Sequence, residues 1–183
     1  MKQFKLIKKT FLLPLLAATF LISCTPDEPE EILEQELITT VELTFRSSSE
    51  VDQIVRWSTT SANSESITLK ANSEYQVEIA FYDESDPADI EDITEEVIEE
   101  ADEHQVFYEF SGVTIPFVQG GSDTLDEDQN PVFIHTVWST GEIGNGVVSV
   151  YLIHEPTTKA SITRDGFGGE TDVAVDIPLV VIE

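Results

Sequence analysis

The chain has 183 residues, with 36 acidic side chains against 9 basic ones, three histidines and a single cysteine. A formal charge of −27 excludes nucleic acid as a partner and disfavours anionic lipid head groups, since both would be repelled. One cysteine leaves no pair for an internal disulfide.

Residues 1–23 read as a secretory signal peptide. MKQFKLIKK supplies a basic start, and FLLPLLAATFLI is an apolar run too short to span a bilayer. The run closes on Leu21-Ile22-Ser23-Cys24, which resembles the lipobox of bacterial lipoproteins. That resemblance implies that Cys24 is lipidated, with palmitate as a typical acyl chain, and becomes the first mature residue. No free thiol then remains, which removes a catalytic cysteine and a Cys-ligated zinc from consideration. Loss of Lys2, Lys5, Lys8 and Lys9 with the signal leaves five basic residues against 36 acidic ones, a formal −31. Residues 24–37 contain TPDEPEEILEQEL, whose prolines and acids describe an extended tether. An acidic run after the lipidated cysteine also resembles the export signal of surface-exposed lipoproteins in Bacteroidota-type bacteria. The expected location is the outer membrane, lipid-anchored and facing outward, with a periplasm-facing domain on a plain spacer as the alternative.

From residue 38 to 183 the dominant period is two. ITTVELTFR, VDQIVRWS, SITLK, EYQVEIAFYD, QVFYEF, VTIPFVQ, PVFIHTVWST, GVVSVYLIHE and TDVAVDIPLVVIE are separated by turn-forming residues. Eight or nine short strands of this kind predict an all-β domain, an antiparallel β-sandwich of immunoglobulin-like or similar Greek-key type. Pro178 in the last run predicts an edge strand or a bulge.

One stretch departs from that period. In IEDITEEVIEEADEH the apolar residues Ile90, Ile93, Val97, Ile98 and Ala101 recur at helical spacing among acids. The spacing predicts an acidic amphipathic helix at about 90–104, capped by Asp92 with Glu95 three residues on. Acids at its C-terminal end oppose the helix dipole, a local cost that packing alone leaves unexplained. On such a helix Glu96, Glu100 and His104 share one face. A carboxylate and an imidazole one turn apart suit a zinc ion, and His135 and His154, in VFIHTVW and VYLIHEP, would complete the site if the fold brought them under the helix. The alternative is a solvated acidic face with two strand histidines on the surface. No HExxH pattern occurs, because His154-Glu155 runs into Pro156.

Two loops are weaker candidates. In SDTLDEDQNP, Asp126, Asp128 and Asn130 sit at calcium-loop spacing, but Pro131 and Val137 stand where an EF-hand needs Gly and Glu. RDGFGGETD, residues 164–172, precedes a strand and so reads as a flexible turn and not as a phosphate cradle. No nucleophile elbow occurs, and no enzyme is expected.

ELITTVELTF, DITEEVIEEADEHQVFY, IHTVWSTGEIGNGVVSVYLIHEP and GGETDVAVDIP together resemble a family of small acidic lipoproteins of Bacteroidota-type bacteria. Members often carry the label "type 1 periplasmic binding fold", a fold whose two doubly wound lobes this chain has neither the length nor the βα alternation to form. The resemblance implies a non-catalytic binding module that accompanies a TonB-dependent outer-membrane receptor. By position it points to His104 and His154 as ligands, with zinc capture as the more specific reading.

Overall fold

Alternation in the sequence becomes inward and outward faces in the structure, a computed structural model that describes residues 36–60, 65–159 and 168–183. The expected signal peptide, Cys24, the tether up to residue 35 and the start of the 164–172 turn lie outside the described residues. The strands are β1 (Thr40–Arg46), β2 (Gln53–Ser58), β3 (Ile67–Lys70), β4 (Glu74–Asp83), β5 (Glu91–Asp92), β6 (His104–Ser111), β7 (Phe117–Gln119), β8 (His135–Ser139), β9 (Gly144–His154) and β10 (Glu170–Ile182), with helix α1 (Ile93–Glu99) between β5 and β6. One sheet has the order β2-β1-β4-β8-β7, with the two-residue β5 also paired to β4; the other has the order β3-β10-β9-β6. The named pairings are antiparallel except that of β3 with β10.

Val41, Leu43 and Phe45 of β1 and Ile79 and Phe81 of β4 face Val106 and Tyr108 of β6 and Val150 and Leu152 of β9 in one continuous buried cluster. The chain is therefore the all-β sandwich that the period of two predicts. Trp138 sits fully buried at its centre, edge-on to Tyr108 across the two sheets (ring centroids 5.2 Å apart) and to Phe45 within its own sheet (5.4 Å).

The helix differs from expectation. It has seven residues, Ile93–Glu99, instead of reaching over about 90–104, and Asp92 caps it by accepting from the Thr94 amide (3.0 Å). Ile93 and Val97 are buried, whereas Ile90 and Ile98 are exposed. It ends where a longer helix would set Glu99, Glu100, Asp102 and Glu103 against its own negative end with no basic residue to offset them. Thr94 ties it to the sheet. The hydroxyl accepts from the Phe81 amide (2.9 Å) and lies 3.2 Å from the Phe81 carbonyl, in the stretch of β4 between its pairings with β8 and with β5. Thr94→Val, which keeps the shape and strands both backbone groups, is expected to lower stability by about 2 kcal/mol in denaturant unfolding. No loss would mean that water replaces the hydroxyl.

Pro178 does not mark an edge. β10 lies between β3 and β9, and Pro178 pairs with Val147. Its carbonyl accepts from Ser66 Oγ on the β3 side, so the donor that proline lacks points to the same side, one residue before β3 pairing begins. The irregularity in β10 lies instead between Thr171 and Val173.

Candidate functional site: two stacked histidines among buried carboxylates

The alternation that builds the core also sets the site. On β6 the inward residues Val106 and Tyr108 imply that His104, two residues earlier, faces inward too; on β9, Val148, Val150 and Leu152 lead to His154. The register pairs His104 directly with His154, and the rings stack nearly parallel (9°) with centroids 4.8 Å apart. The apolar interior thus ends, between these two strands, in a pair of imidazoles.

Carboxylates reach the pair from separate segments. Asp172 is the extra residue of the β10 bulge, a device that re-aims a side chain at the cost of one unpaired position. Gly169 lets the chain arrive there. Its φ is +69°, and a Cβ on it would stand 2.4 Å from the His154 carbonyl oxygen, so any other residue would push β10 off β9. Glu36 precedes β1, with a side chain 11% exposed and Oε1 4.0 Å from His104 Nε2. Glu103, in the turn after α1, places Oε2 3.4 Å from His154 Nε2. Glu155 follows His154 in a left-handed conformation (φ +47°). Three overlapping donor groups result, each with its ligand atoms within 4.8 Å of one another: His104–His154–Asp172, Glu36–Glu100–His104 and Glu103–His154–Glu155.

The state of His104 follows from its surroundings. It is 1% exposed, and burial, with His154 alongside, pushes its pKa down, so the ring is neutral. Its Nδ1 lies 3.2 Å from the Glu100 carbonyl oxygen, which can only accept; the proton is therefore on Nδ1, and Nε2 keeps a lone pair on the side of Glu36. A backbone carbonyl that fixes the tautomer of an imidazole is the usual support behind a metal-ligating histidine. The carboxylates are strained electrostatically. Burial, with Glu96, Asp172 and Glu100 adding repulsion, raises Glu36 to about 7, and burial raises Asp172 to about 6. Glu36 Oε2 and Asp172 Oδ2 are buried without a hydrogen-bond partner among the described residues. Buried acceptors without donors are what a cation would relieve.

The structure sorts the residues expected from the sequence. His104 and His154 come together and Glu100 joins them, but not on a helix face: His104 begins β6, and Glu100 is the C-cap. Glu96 is an exposed helical residue outside the three donor groups, acting on the site only through its charge on Glu36. His135 is elsewhere. Thr136 and Trp138 take the inward positions of β8, so His135 faces out of the other sheet, with Nε2 3.8 Å from Glu78. The calcium-like loop is already satisfied. Asp126 accepts from the Asn130 backbone amide (2.7 Å) and side-chain amide (2.9 Å), and the buried Lys159 ammonium lies 3.3 Å from its Oδ2. Glu36, Glu103, Glu155 and Asp172 were missed. Glu36 falls within the expected tether, and a bulge leaves no mark on alternation beyond the neighbouring glycines.

Three donors no more than 4.8 Å apart leave a central point within about 2.8 Å of each, so modest side-chain rotation reaches the roughly 2 Å bonds of zinc. Imidazole nitrogen with carboxylate oxygen suits zinc and its first-row neighbours, whereas calcium prefers oxygen alone. Comparison of the chain with protein-family models, with curated proteins and with solved structures finds no match.

Proposed function

We propose that this protein is a lipid-anchored, extracytoplasmic binding lipoprotein whose sandwich captures a divalent transition-metal ion, zinc foremost. The ion is held by His104, His154 and Asp172, with Glu36 and Glu100 within reach. The observation that carries this reading is the pair of buried carboxylate oxygens, Glu36 Oε2 and Asp172 Oδ2, that have no hydrogen-bond partner among the described residues, beside a neutral imidazole whose free lone pair lies on the side of the Glu36 carboxylate. Ionised, these acids oppose the fold; around a cation they become its ligands. Capture without catalysis fits the wider reading of a module that serves a TonB-dependent receptor, which rests on the lipobox-like Leu21–Cys24 and the acidic tether.

Calorimetric titration of the purified protein tests the site. Zinc is expected to bind once with a submicromolar Kd, and His104→Ala to weaken it by about 100-fold, while calcium gives no comparable binding. Weak binding at many positions, shared by zinc and calcium, would reduce the cluster to ordinary surface acidity. The anchor has its own test: labelled palmitate should be incorporated by wild-type cells and not by Cys24→Ala.

A further inference from the structure

The donors around the two histidines form a line and not a shell. Glu36 and Glu100 flank His104, Asp172 stands with both rings, and Glu103 and Glu155 flank His154. From His104 toward Glu103 exposure rises: the side chain of His104 is 1% exposed, that of His154 17% and that of Glu103 55%, while at the other end Glu100 is exposed and Glu36 only 11% so. The two Nε2 atoms also face different carboxylates, His104 toward Glu36 and His154 toward Glu103. No single ion position meets both nitrogens and both acids.

We propose that the cluster holds two alternative positions for one cation: an inner one at His104–His154–Asp172 and a solvent-side one at Glu103–His154–Glu155, through which the ion enters and leaves. This inference rests on the metal-binding reading above. His154 is common to both positions, and a neutral imidazole has one lone pair, so the ring serves one position at a time. These two positions therefore hold one ion between them, not two. The outer position is the weaker holder, because its acids are exposed and hydrated; its part is exchange. An ion arriving from water meets the Glu103 and Glu155 carboxylates and sheds part of its water on them. It then passes along His154 to Asp172 and His104 without being fully desolvated in one step. The same steps in reverse release it. A loading position of this kind raises the rates of binding and of release together and leaves the affinity nearly unchanged.

The test compares the wild-type chain with E103Q/E155Q and with E95Q/E99Q, a control that removes the same two charges from exposed helix positions outside the three donor groups. Zinc uptake and release are timed by stopped flow against a fluorescent chelator at about 0.15 M salt, where long-range steering is screened. E103Q/E155Q is expected to slow both rates by about ten-fold while Kd stays within about two-fold, and the control to change neither rate by more than about two-fold. Rates in E103Q/E155Q equal to those of the control would overturn the loading position. So would a loss of affinity without slower uptake, which would make Glu103 and Glu155 ordinary ligands, and so would two ions bound at saturation. Absence of zinc binding by the wild type, or full binding by His104→Ala, would instead remove the metal site itself, and the loading position with it.

Discussion

In the absence of metal, the domain is expected to lose stability as pH rises from about 4.5 to about 7, and saturating zinc is expected to restore it. Glu36 moves from an ordinary 4.5 to about 7 in the fold, and Asp172 from 3.8 to about 6. Between those values the folded chain binds more protons than the unfolded one, so each step up in pH favours unfolding. The two acids together are expected to cost about 2–4 kcal/mol at pH 8, after allowance for partial access to water. His104 works in the opposite sense. Burial lowers its pKa, so below about 6.5 the unfolded chain takes up a proton that the fold refuses, and stability falls again toward acid. Repulsion from Glu96 and Glu100 is part of the Glu36 shift and repulsion from Glu170 part of that of Asp172, while the Glu103 charge offsets some of the depression of His104. A cation takes the place of the protons: zinc at 100 times its Kd should return about 2.7 kcal/mol. Chemical denaturation at pH 5 and pH 8, with and without zinc, reads these changes directly. E36Q/D172N supplies the decisive comparison. It should be more stable than wild type at pH 8 without metal, lose the fall toward alkali while keeping the fall toward acid that His104 imposes, and respond far less to zinc. A metal-free wild type that is as stable at pH 8 as at pH 5 would count against buried, opposed carboxylates.

The largest effect of a single substitution is expected at Trp138. Trp138→Ala should destabilise the domain by about 3–5 kcal/mol, enough to unfold a domain of ordinary stability near its working temperature. The ring is fully buried and stands edge-on to Phe45, Tyr108 and Phe110, so its removal opens a cavity bordered by both sheets. Its indole N–H donates to Thr136 Oγ1 (2.9 Å) and is satisfied in place. Trp138→Phe keeps part of the ring and should lose less than half as much. Thermal unfolding followed by circular dichroism separates the three proteins, and a Trp138→Ala variant within about 1 kcal/mol of wild type would show that the core refills the space.

The lesson of the sequence lies in which periodicity His104 obeys. It can be counted from Glu96 and Glu100 as a helical residue, or from Val106 and Tyr108 as a strand residue. The second count is correct, because the acidic C-terminal end could not extend the helix that far. Counting by twos from Leu152 likewise places His154, at the end of its strand, on the inward face. Register between β6 and β9 is not readable from either strand alone, so the pairing itself had to come from the fold. Asp172 was hidden for a different reason: a bulge breaks the alternation by which strand residues are sorted. Glu36 was hidden by composition, being one acid among many in a stretch that reads as tether, although its side chain lies almost wholly within the domain. His135 shows the converse, since a rare residue type in a strand invites a role that the parity of Thr136 and Trp138 denies it.

The place of β10 between β3 and β9 bears on how the chain can fold during synthesis. Ribosomes deliver β3 early and β10 after every other described strand, yet β3 finds its sheet only by lying alongside Leu179–Ile182. Until those residues emerge, the second sheet lacks its middle, and β3 and β9 each present a bare ladder edge. A nascent or truncated chain is therefore a half-sandwich with open strand edges, and closure is a late event governed by contacts between distant parts of the chain. Because Asp172 belongs to that same strand, the cluster around the two histidines and the completed fold come into being together.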